Sequence, residues 1–285
     1  MQLQTRSGLG ILLALFGGFL ISIDIPIIRL AESNPWVVML MRGIGLSTVL
    51  GFVLFFRKDW TDTPPNPFDN PYWVEIGILY GVASILFTLS VFYTSTANLV
   101  FILAFNPMIA ALFAWWLIGE RPDGVTWLAI FLTVVGVLII VGDGLKGGTL
   151  FGDMTSLGAA IVLAYSLTRT RQSGQDMSLS GCLGGVIAAL FALPLVLANF
   201  EMPGVPAWLI FNVFVLVPAA GFTLALAPRF IPAPQVAMFF LLETILAPVW
   251  VWLIFAETPS RNTLIGGAVV LSALAGHSIW QLRKS

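Results

Sequence analysis

The stretch NLVFILAFNPMIAALFAWWLIGERP (98–122) recurs half a chain later as QVAMFFLLETILAPVWVWLIFAETP (235–259). The two stretches align without gaps, 137 residues apart (98 to 235), and each is an apolar run closed by a glutamate and a proline. The identical pairs nearest the closing end are Trp115 with Trp252, Glu120 with Glu257 and Pro122 with Pro259. The alignment predicts two related halves, residues 1–143 and 144–285.

Apolar runs of this length dominate the chain. Of its 285 residues 58% are hydrophobic and only 9% are charged, whereas a soluble chain is about 25% charged. Crossing about 30 Å of hydrocarbon at 1.5 Å per residue takes roughly 20 residues. We therefore predict an all-α polytopic membrane protein with ten transmembrane helices. The predicted spans are 8–28, 36–56, 73–92, 97–118, 124–142, 152–168, 180–199, 208–227, 235–255 and 262–281.

The distribution of Lys and Arg predicts the orientation of these spans, because loops rich in positive charge stay in the cytoplasm. If the N-terminus is inside, nine of the 13 basic residues lie in cytoplasmic loops, three lie in outer loops and Arg42 lies within a span. The nine are Arg6, Arg57, Lys58, Arg121, Arg169, Arg171, Arg229, Arg283 and Lys284, and the three are Arg29, Lys146 and Arg261. With an even number of spans, both termini are expected in the cytoplasm.

The offset between the halves is five spans. Because five is odd, the second half enters the membrane in the direction opposite to the first. Inverted repeats of this kind are an architecture of secondary transporters, which hold their substrate near the midplane between the repeats. The sequence thus predicts two inverted five-helix repeats around a central solute site.

The fourth span, NPMIAALFAWWLIGE, resembles the pattern of the drug/metabolite transporter superfamily in its ten-span EamA-type branch. That pattern has a proline, then an apolar stretch rich in small residues, then Gly-Glu, matched here by Pro107 and Gly119-Glu120. The second half departs from the pattern, since Thr244 stands at the position of Pro107 and Ala256 at that of Gly119.

The resemblance extends over the whole chain and is strongest to bacterial inner-membrane exporters of aromatic and other amino acids. It implies alternating access without ATP, through a central cavity lined mainly by spans other than the fifth and tenth. It also implies a bacterial inner-membrane location. Export of another metabolite, a drug or a lipid-like amphiphile is the alternative among carriers. A homodimer is left open.

Two charged residues stand at matching depth in adjacent spans. Asp24 lies about five residues before the outer end of the first span, and Arg42 lies about six residues into the second. At 1.5 Å per residue both lie roughly 8–9 Å below the outer boundary. Ionisable groups at such depth are costly and mark function by default. The pair is expected to be a structural ion pair, a gate, or a clamp for the ammonium and carboxylate of a zwitterion.

A third charged residue, Glu243, lies roughly 12 Å into the ninth span, close to the midplane. Its repeat mate is Asn106, beside Pro107, whose ring frees carbonyls one turn earlier. Glu243 is expected either to bind an amine or proton in the cavity, or to be a hydrogen-bonded structural acid. We predict a substrate site of Glu243 and Asn106, completed by the mid-depth polar residues Tyr80, Ser84 and Tyr165.

Other polar residues in the apolar spans are expected to be structural. Glu120 and Glu257 each precede a short turn and are expected to cap the next helix. His277 lies in the tenth span, which the resemblance places away from the cavity. The only cysteine, Cys182, stands in an apolar stretch and is expected to be a packing residue.

Composition and motifs argue against several functional classes. A net charge of −1 does not suggest attraction of nucleic acid. One His and one Cys on distant spans do not supply the ligands or nucleophile of an enzyme, and the chain has no G-x-x-x-x-G-K-[ST] loop for ATP. No catalytic residue, cofactor or metal is predicted. A channel remains the less favoured alternative, since the sequence shows neither a selectivity filter nor a ring of like charge.

The predicted topology can be tested with reporter fusions. A reporter fused after Ser285 is expected to be active only in the cytoplasm, because ten spans return the chain to the side on which it starts. A fusion in the loop at Lys146, after five spans, is the control and should report the opposite side. Activity of the Ser285 fusion outside the cytoplasm would contradict the ten-span arrangement.

Overall fold

A computed structural model describes residues 2–56, 69–175, 177–199, 206–226, 230 and 233–284. Every regular element within these ranges is helical. The Pro-rich stretch 61–71, between the second and third predicted spans, lies almost entirely outside them. So do the basic residues Arg57, Lys58 and Arg229. The chain is thus an all-α polytopic protein whose apolar helices suit a membrane.

Thirteen α-helices, one 3₁₀ turn and one π-helical segment make up these ranges. The first seven α-helices are α1 (Gln2–Ser22), α2 (Asp24–Leu30), α3 (Pro35–Phe56), α4 (Pro71–Tyr93), α5 (Thr96–Leu103), α6 (Asn106–Ile118) and α7 (Gly124–Gly147). The others are α8 (Leu150–Ser173), α9 (Gly181–Asn199), α10 (Ala207–Phe211), α11 (Val217–Leu226), α12 (Ala233–Phe255) and α13 (Arg261–Lys284). The 3₁₀ turn is Ser178–Ser180, and the π-helical segment, Asn212–Leu216, joins α10 to α11.

Eight helical stretches of the described chain are long and apolar enough to cross a membrane, and Ala207–Gly221 and Leu242–Phe255 are shorter apolar helices. These ten stretches coincide with the ten predicted spans. Because two of them are short, the number of membrane-spanning helices, ten, stays a prediction. Large apolar side chains such as Leu12, Phe55 and Trp116 are more than half exposed. Lipid is the surrounding that accepts such a surface.

Two of the spans are broken rather than continuous. In the first, α1 ends at Ser22 and α2 begins at Asp24, two residues before Pro26; in the fourth, α5 ends at Leu103 and α6 begins at Asn106, next to Pro107. The physical reason is the same, since proline donates no hydrogen bond and its ring crowds the carbonyl four residues earlier. The span predicted at 8–28 is present all the same, since Gly8–Leu30 is long and apolar enough to cross a membrane.

Two helix crossings are built on facing glycines. A Cβ at Gly43 of α3 would lie 2.6 Å from the carbonyl oxygen of Gly185 of α9, and a Cβ at Gly185 would lie 2.7 Å from that of Gly43. At the crossing of α7 and α13, Gly136 and Gly266 stand in the same reciprocal relation at 2.7 and 2.6 Å. Small residues let helix backbones approach closely in a membrane, where no hydrophobic force drives helices together.

Several of the main helix contacts correspond when the two halves are exchanged. The α4–α8 contact corresponds to that of α11 with α1, and α6–α8 to α12–α1. The glycine crossings α3–α9 and α7–α13 each pair a helix with its own counterpart. Two inverted five-helix repeats remain a proposal, and this packing supports it.

The same correspondence appears in the backbone where the repeated stretches end. Gly119, after α6, has φ 80°, and its counterpart Ala256, after α12, has φ 55°. Gly119 N–H donates to the carbonyl of Trp115, and Ala256 N–H donates to that of Trp252. Both helices thus end on a left-handed residue, a conformation that glycine adopts freely and alanine does not.

The substitution Ala256→Gly is expected to stabilise the protein by about 1 kcal/mol. The left-handed conformation costs an L-residue roughly 1–2 kcal/mol, and glycine avoids this cost. Part of the stabilisation is offset because glycine raises the conformational entropy of the unfolded chain. The measurement is thermal unfolding in detergent. The matched control is Gly119→Ala, which should destabilise by a similar amount, since a Cβ there meets nothing within 4 Å and only the backbone strain changes. Equal midpoints for Ala256→Gly and the parent protein would contradict the strain.

Candidate functional site

Asp24 and Arg42 form a two-pronged ion pair. Arg42 Nη1 donates to Asp24 Oδ1 at 2.7 Å, and Nη2 donates to Oδ2 at 3.1 Å. The Asp24 side chain is only 5% exposed, and that of Arg42 only 16%. Asp24 is the first residue of α2, so the break before Pro26 places its carboxylate where the first span bends. The contact expected from the matched depths is present, while gating or clamping by the pair stays a prediction.

Asn212 completes this ion pair and was not anticipated from the sequence. Its Nδ2 donates to Asp24 Oδ1 at 2.6 Å, and its Oδ1 accepts from Arg42 Nη1 at 2.9 Å. The side chain is fully buried and is the first residue of the π-helical segment. A π-turn widens a helix by one residue and occurs often at functional sites. The one available signal was a lone amide in an otherwise apolar span.

A small cavity lies against the guanidinium of Arg42. Its volume is about 40 Å³, and its lining residues include Ser84 on α4, with Val213 and Pro218 on the interrupted helix. The ring of Phe87, one turn from Ser84, lies 5.5 Å from the Arg42 Cζ atom, within range of a cation–π interaction. Arg42 therefore faces a space with one hydroxyl and mainly apolar walls. That space holds about one water molecule in this conformation.

Glu243 belongs to the same electrostatic environment. Its carboxylate, half-buried on α12, is close enough to Asp24 and Arg42 to interact with both charges. With both acids ionised, these three groups carry a net charge of −1. An ionised carboxylate without a cation is costly inside a membrane. Glu243 is thus the acid of this cluster that Arg42 does not pair.

The remaining predicted site residues lie elsewhere in the described part of the chain. Asn106 Nδ2 donates to the carbonyl of Ala160 on α8 at 3.0 Å. Tyr80 packs against the buried cluster that contains Trp73 and Ile76. Of the three polar residues predicted to complete the site, the structure brings only Ser84 to Arg42.

Tyr165 joins a second cluster, on the side predicted to be cytoplasmic. Its hydroxyl donates to Glu75 Oε1 at 3.3 Å, and Arg169 binds the same carboxylate through Nε at 2.8 Å and Nη2 at 2.6 Å. The Arg169 guanidinium also lies 4.7 Å from the centre of the Tyr72 ring. These contacts hold α4 to the C-terminal end of α8.

A third polar cluster joins α4, α5, α8 and α13 near the opposite face. Asp153 is fully buried and accepts hydrogen bonds from Thr94 Oγ1 at 2.5 Å, Asn98 Nδ2 at 3.1 Å and Thr149 Oγ1 at 3.2 Å. Thr263 Oγ1 donates to Asn98 Oδ1 at 2.7 Å. The sequence gives no signal for this buried acid, because Asp153 stands at the start of a predicted span, where charged residues commonly mark the boundary.

The expectation that Glu120 and Glu257 cap the next helix is wrong. Asp123 caps α7, since its Oδ1 accepts from Thr126 N at 2.9 Å, and Ser260 caps α13, since its Oγ accepts from Thr263 N at 3.0 Å. These shorter side chains stand three residues before the amide that they bind, the usual capping distance. The two glutamates instead pair with arginines.

His277 and Cys182 behave as packing residues. His277 is buried, its Nε2 lies 3.0 Å from Thr126 Oγ1, and its ring stacks on Trp280. Cys182 is half-buried, with its sulfur 3.4 Å from the carbonyl oxygen of Ser47.

The fold and the buried charged cluster define a polytopic helical membrane protein with an ionisable site inside the bilayer. Residues 8–142 match the model of the EamA-like transporter family, which is just under half of the chain and ends one residue before the predicted boundary between the halves. The match supports the drug/metabolite transporter superfamily, whose members are membrane transporters of small solutes.

A solved structure described as "Crystal structure of protein" is similar over 93% of this chain and 95% of its own, with a TM-score of 0.61 and 14% sequence identity. At this identity the likeness shows the fold alone. A search of curated protein sequences gives no match.

The substitution Asp24→Asn is expected to destabilise the protein by about 3–5 kcal/mol, because it leaves the buried Arg42 charge unpaired. Thermal unfolding in detergent measures the loss. The matched control is Glu120→Gln, which removes the acid of an ion pair whose side chains are 45% and 65% exposed. An exposed pair contributes about 0–1 kcal/mol. Similar midpoints for the two variants would show that the Asp24 pair is solvated.

Proposed function

We propose that this chain is a secondary transporter that exports small amphiphilic metabolites, amino acids among them, by alternating access through a central cavity. The observation that carries the proposal is the buried cluster of Asp24, Arg42 and Asn212, with Glu243 in electrostatic range. Ionisable residues inside a membrane protein mark solute and proton pathways. The family match over residues 8–142 supports transport of a small solute.

The chemistry of the cluster suits a zwitterion. Arg42 presents a planar fork of donors that a carboxylate can occupy two bonds at a time. Asp24 and Glu243 supply two acids for one ammonium, so a bound amino acid would match both signs of charge in the cluster. The apolar wall that includes Phe87 would accept a hydrophobic side chain, as pockets with a few orienting polar groups do.

Binding then requires the Asp24–Arg42 pair to open. A carboxylate that replaces Asp24 on Arg42 frees the Asp24 oxygens for the ammonium, while Asn212 retains a donor and an acceptor for either partner. Exchange of one ion pair for another costs less than exposing a bare charge. Before solute arrives, the excess charge of Glu243 is neutralised by a proton, which couples transport to the proton gradient.

Ser84 lies beside Arg42 and is proposed to orient the solute. Asn106, Tyr80 and Tyr165 are proposed to contact it at other stages of transport, since each is a polar residue within a predicted span. For Tyr165 this requires release from Glu75. Broken helices in α1–α2 and α5–α6 provide free carbonyls near the same depth, as transporter sites often do.

The proposed setting is a bacterial inner membrane, with both termini in the cytoplasm and two inverted repeats at residues 1–143 and 144–285. Self-corresponding helix packing supports the repeats, and the nine-to-three distribution of basic residues supports the orientation. Export of another metabolite, a drug or a lipid-like amphiphile is the second candidate, favoured by the apolar lining of the cavity at Arg42. Counterflow of labelled solute distinguishes any carrier from a channel, because only a carrier accelerates exchange.

The substitution Glu243→Gln is expected to reduce uptake of labelled phenylalanine into proteoliposomes about tenfold or more, since a charged hydrogen bond contributes about 1.5–3 kcal/mol. It should also remove the dependence of transport on an imposed pH gradient, because glutamine binds no proton. The fold should persist, since glutamine keeps the shape of the side chain.

The matched control is Glu32→Gln, the same substitution at an exposed residue between α2 and α3, which should leave transport unchanged. Transport by Glu243→Gln at the parental rate and with the parental pH profile would remove Glu243 from the site. A panel of amino acids, organic cations and lipid-like amphiphiles, offered to the parent protein, would separate the two candidate substrate classes.

A further inference from the structure

Two ion pairs at opposite ends of the molecule occupy equivalent places in the two halves. Glu257, after α12, pairs with Arg29 of α2, and Glu120, after α6, pairs with Arg171 near the end of α8. The two glutamates are repeat mates in the alignment of the halves. The arginines also correspond, since each stands near the end of the span that opens its half. Each pair therefore joins the first span of one half to the fourth span of the other.

The two pairs differ in how firmly they are held. Arg29 Nη2 also donates to the carbonyl of Thr94 at 3.0 Å and, more weakly, to that of Val91 at 3.4 Å. Glu257 Oε1 accepts from Thr96 N at 3.2 Å. The side chains of this pair are 21% and 28% exposed, against 65% and 45% for Arg171 and Glu120.

From this difference we infer that Arg29–Glu257 and Arg171–Glu120 are the two end gates of the transport cycle, and that this conformation has the outer gate locked and the inner gate loose. The inference rests on the proposed function. The pair binds the end of α4 through Arg29 and the start of α5 through Glu257, and both segments would be pulled inwards whenever the outer pair forms. Inverted symmetry explains why the two pairs differ in exposure. In the inverse conformation of the transport cycle, the outer pair would be the loose one and the inner pair the locked one.

A cavity of about 530 Å³ lies against the Arg29–Glu257 pair, and this gate would close it. Both residues of the pair line it, together with Val91, Thr94 and Thr149. Val91 is only 3% exposed and packs in the buried core, and its carbonyl accepts from Arg29 Nη2. A label attached at Val91 from outside therefore reports opening of this gate.

The chain has a single cysteine, Cys182, so one substitution removes all background labelling. In a Cys182→Ala background, Val91→Cys is introduced, and its rate of reaction with a membrane-impermeant maleimide is measured on sealed, outside-out vesicles. Adding Glu257→Gln is expected to raise that rate about five- to tenfold, the size of a modest coupling between sites. Glutamine keeps an oxygen for the Thr96 amide, so only the ion pair is lost. Arg29→Gln should act in the same direction.

Glu120→Gln is the matched control and is expected to leave the Val91→Cys rate unchanged or lower it, because it loosens the opposite end. Thr258→Cys, exposed beside the pair, monitors folding and should react equally in every background. If Val91→Cys reacts at one rate in all backgrounds while Thr258→Cys reacts normally, the gate assignment is overturned. An equal rise with Glu257→Gln and Glu120→Gln overturns it too.

Phenylalanine transport by the Cys182→Ala protein, assayed in parallel, separates this inference from the proposed function. A labelling response without transport would keep the gates and reject the substrate. Transport without a labelling response would keep the carrier and reject the gates.

Discussion

A lipid environment offers no hydrogen-bond partner, so each charge within the spans must be satisfied by the protein itself. The Asp24–Arg42–Asn212 cluster is the clearest product of this constraint. Three spans contribute one residue each, and every contact among them depends on an irregular backbone: the break before Pro26 for Asp24 and the π-turn for Asn212. The need to pair one buried guanidinium fixes how the first, second and eighth spans meet.

The repeat places equal features at opposite ends, and the two halves then use them differently. A left-handed residue ends the repeated span in both halves, although the second half has an alanine there. Backbone geometry is thus retained where the residue that favours it has been lost. The Glu–Arg pairs likewise keep their partners while differing in exposure. With the proposed repeats, the molecule would be symmetric in its chain path and asymmetric in its conformation.

The sequence predicts the depth of a residue in the membrane well, but it predicts poorly which side of its helix the residue lies on. Asp24 and Arg42 were expected to meet because both lie at a known depth on consecutive spans. Tyr165 was expected to join the site with Glu243, but its hydroxyl donates to Glu75 instead. Nor does any pattern in an apolar run predict a π-turn, which forms from packing against other spans. Span positions and opposed charges at matching depth are therefore predictable, whereas the composition of a site is not.

The facing glycines have a mechanical consequence. At the α3–α9 and α7–α13 crossings backbone touches backbone, with no side chain between to act as a cushion or a spacer. The line through the two contacts is then the axis for any rotation of one proposed half against the other. Atoms near this axis barely move in such a rotation, while loops at either end are displaced in proportion to their distance from the axis. A few degrees of rotation at these glycines thus become a wide displacement at the mouths.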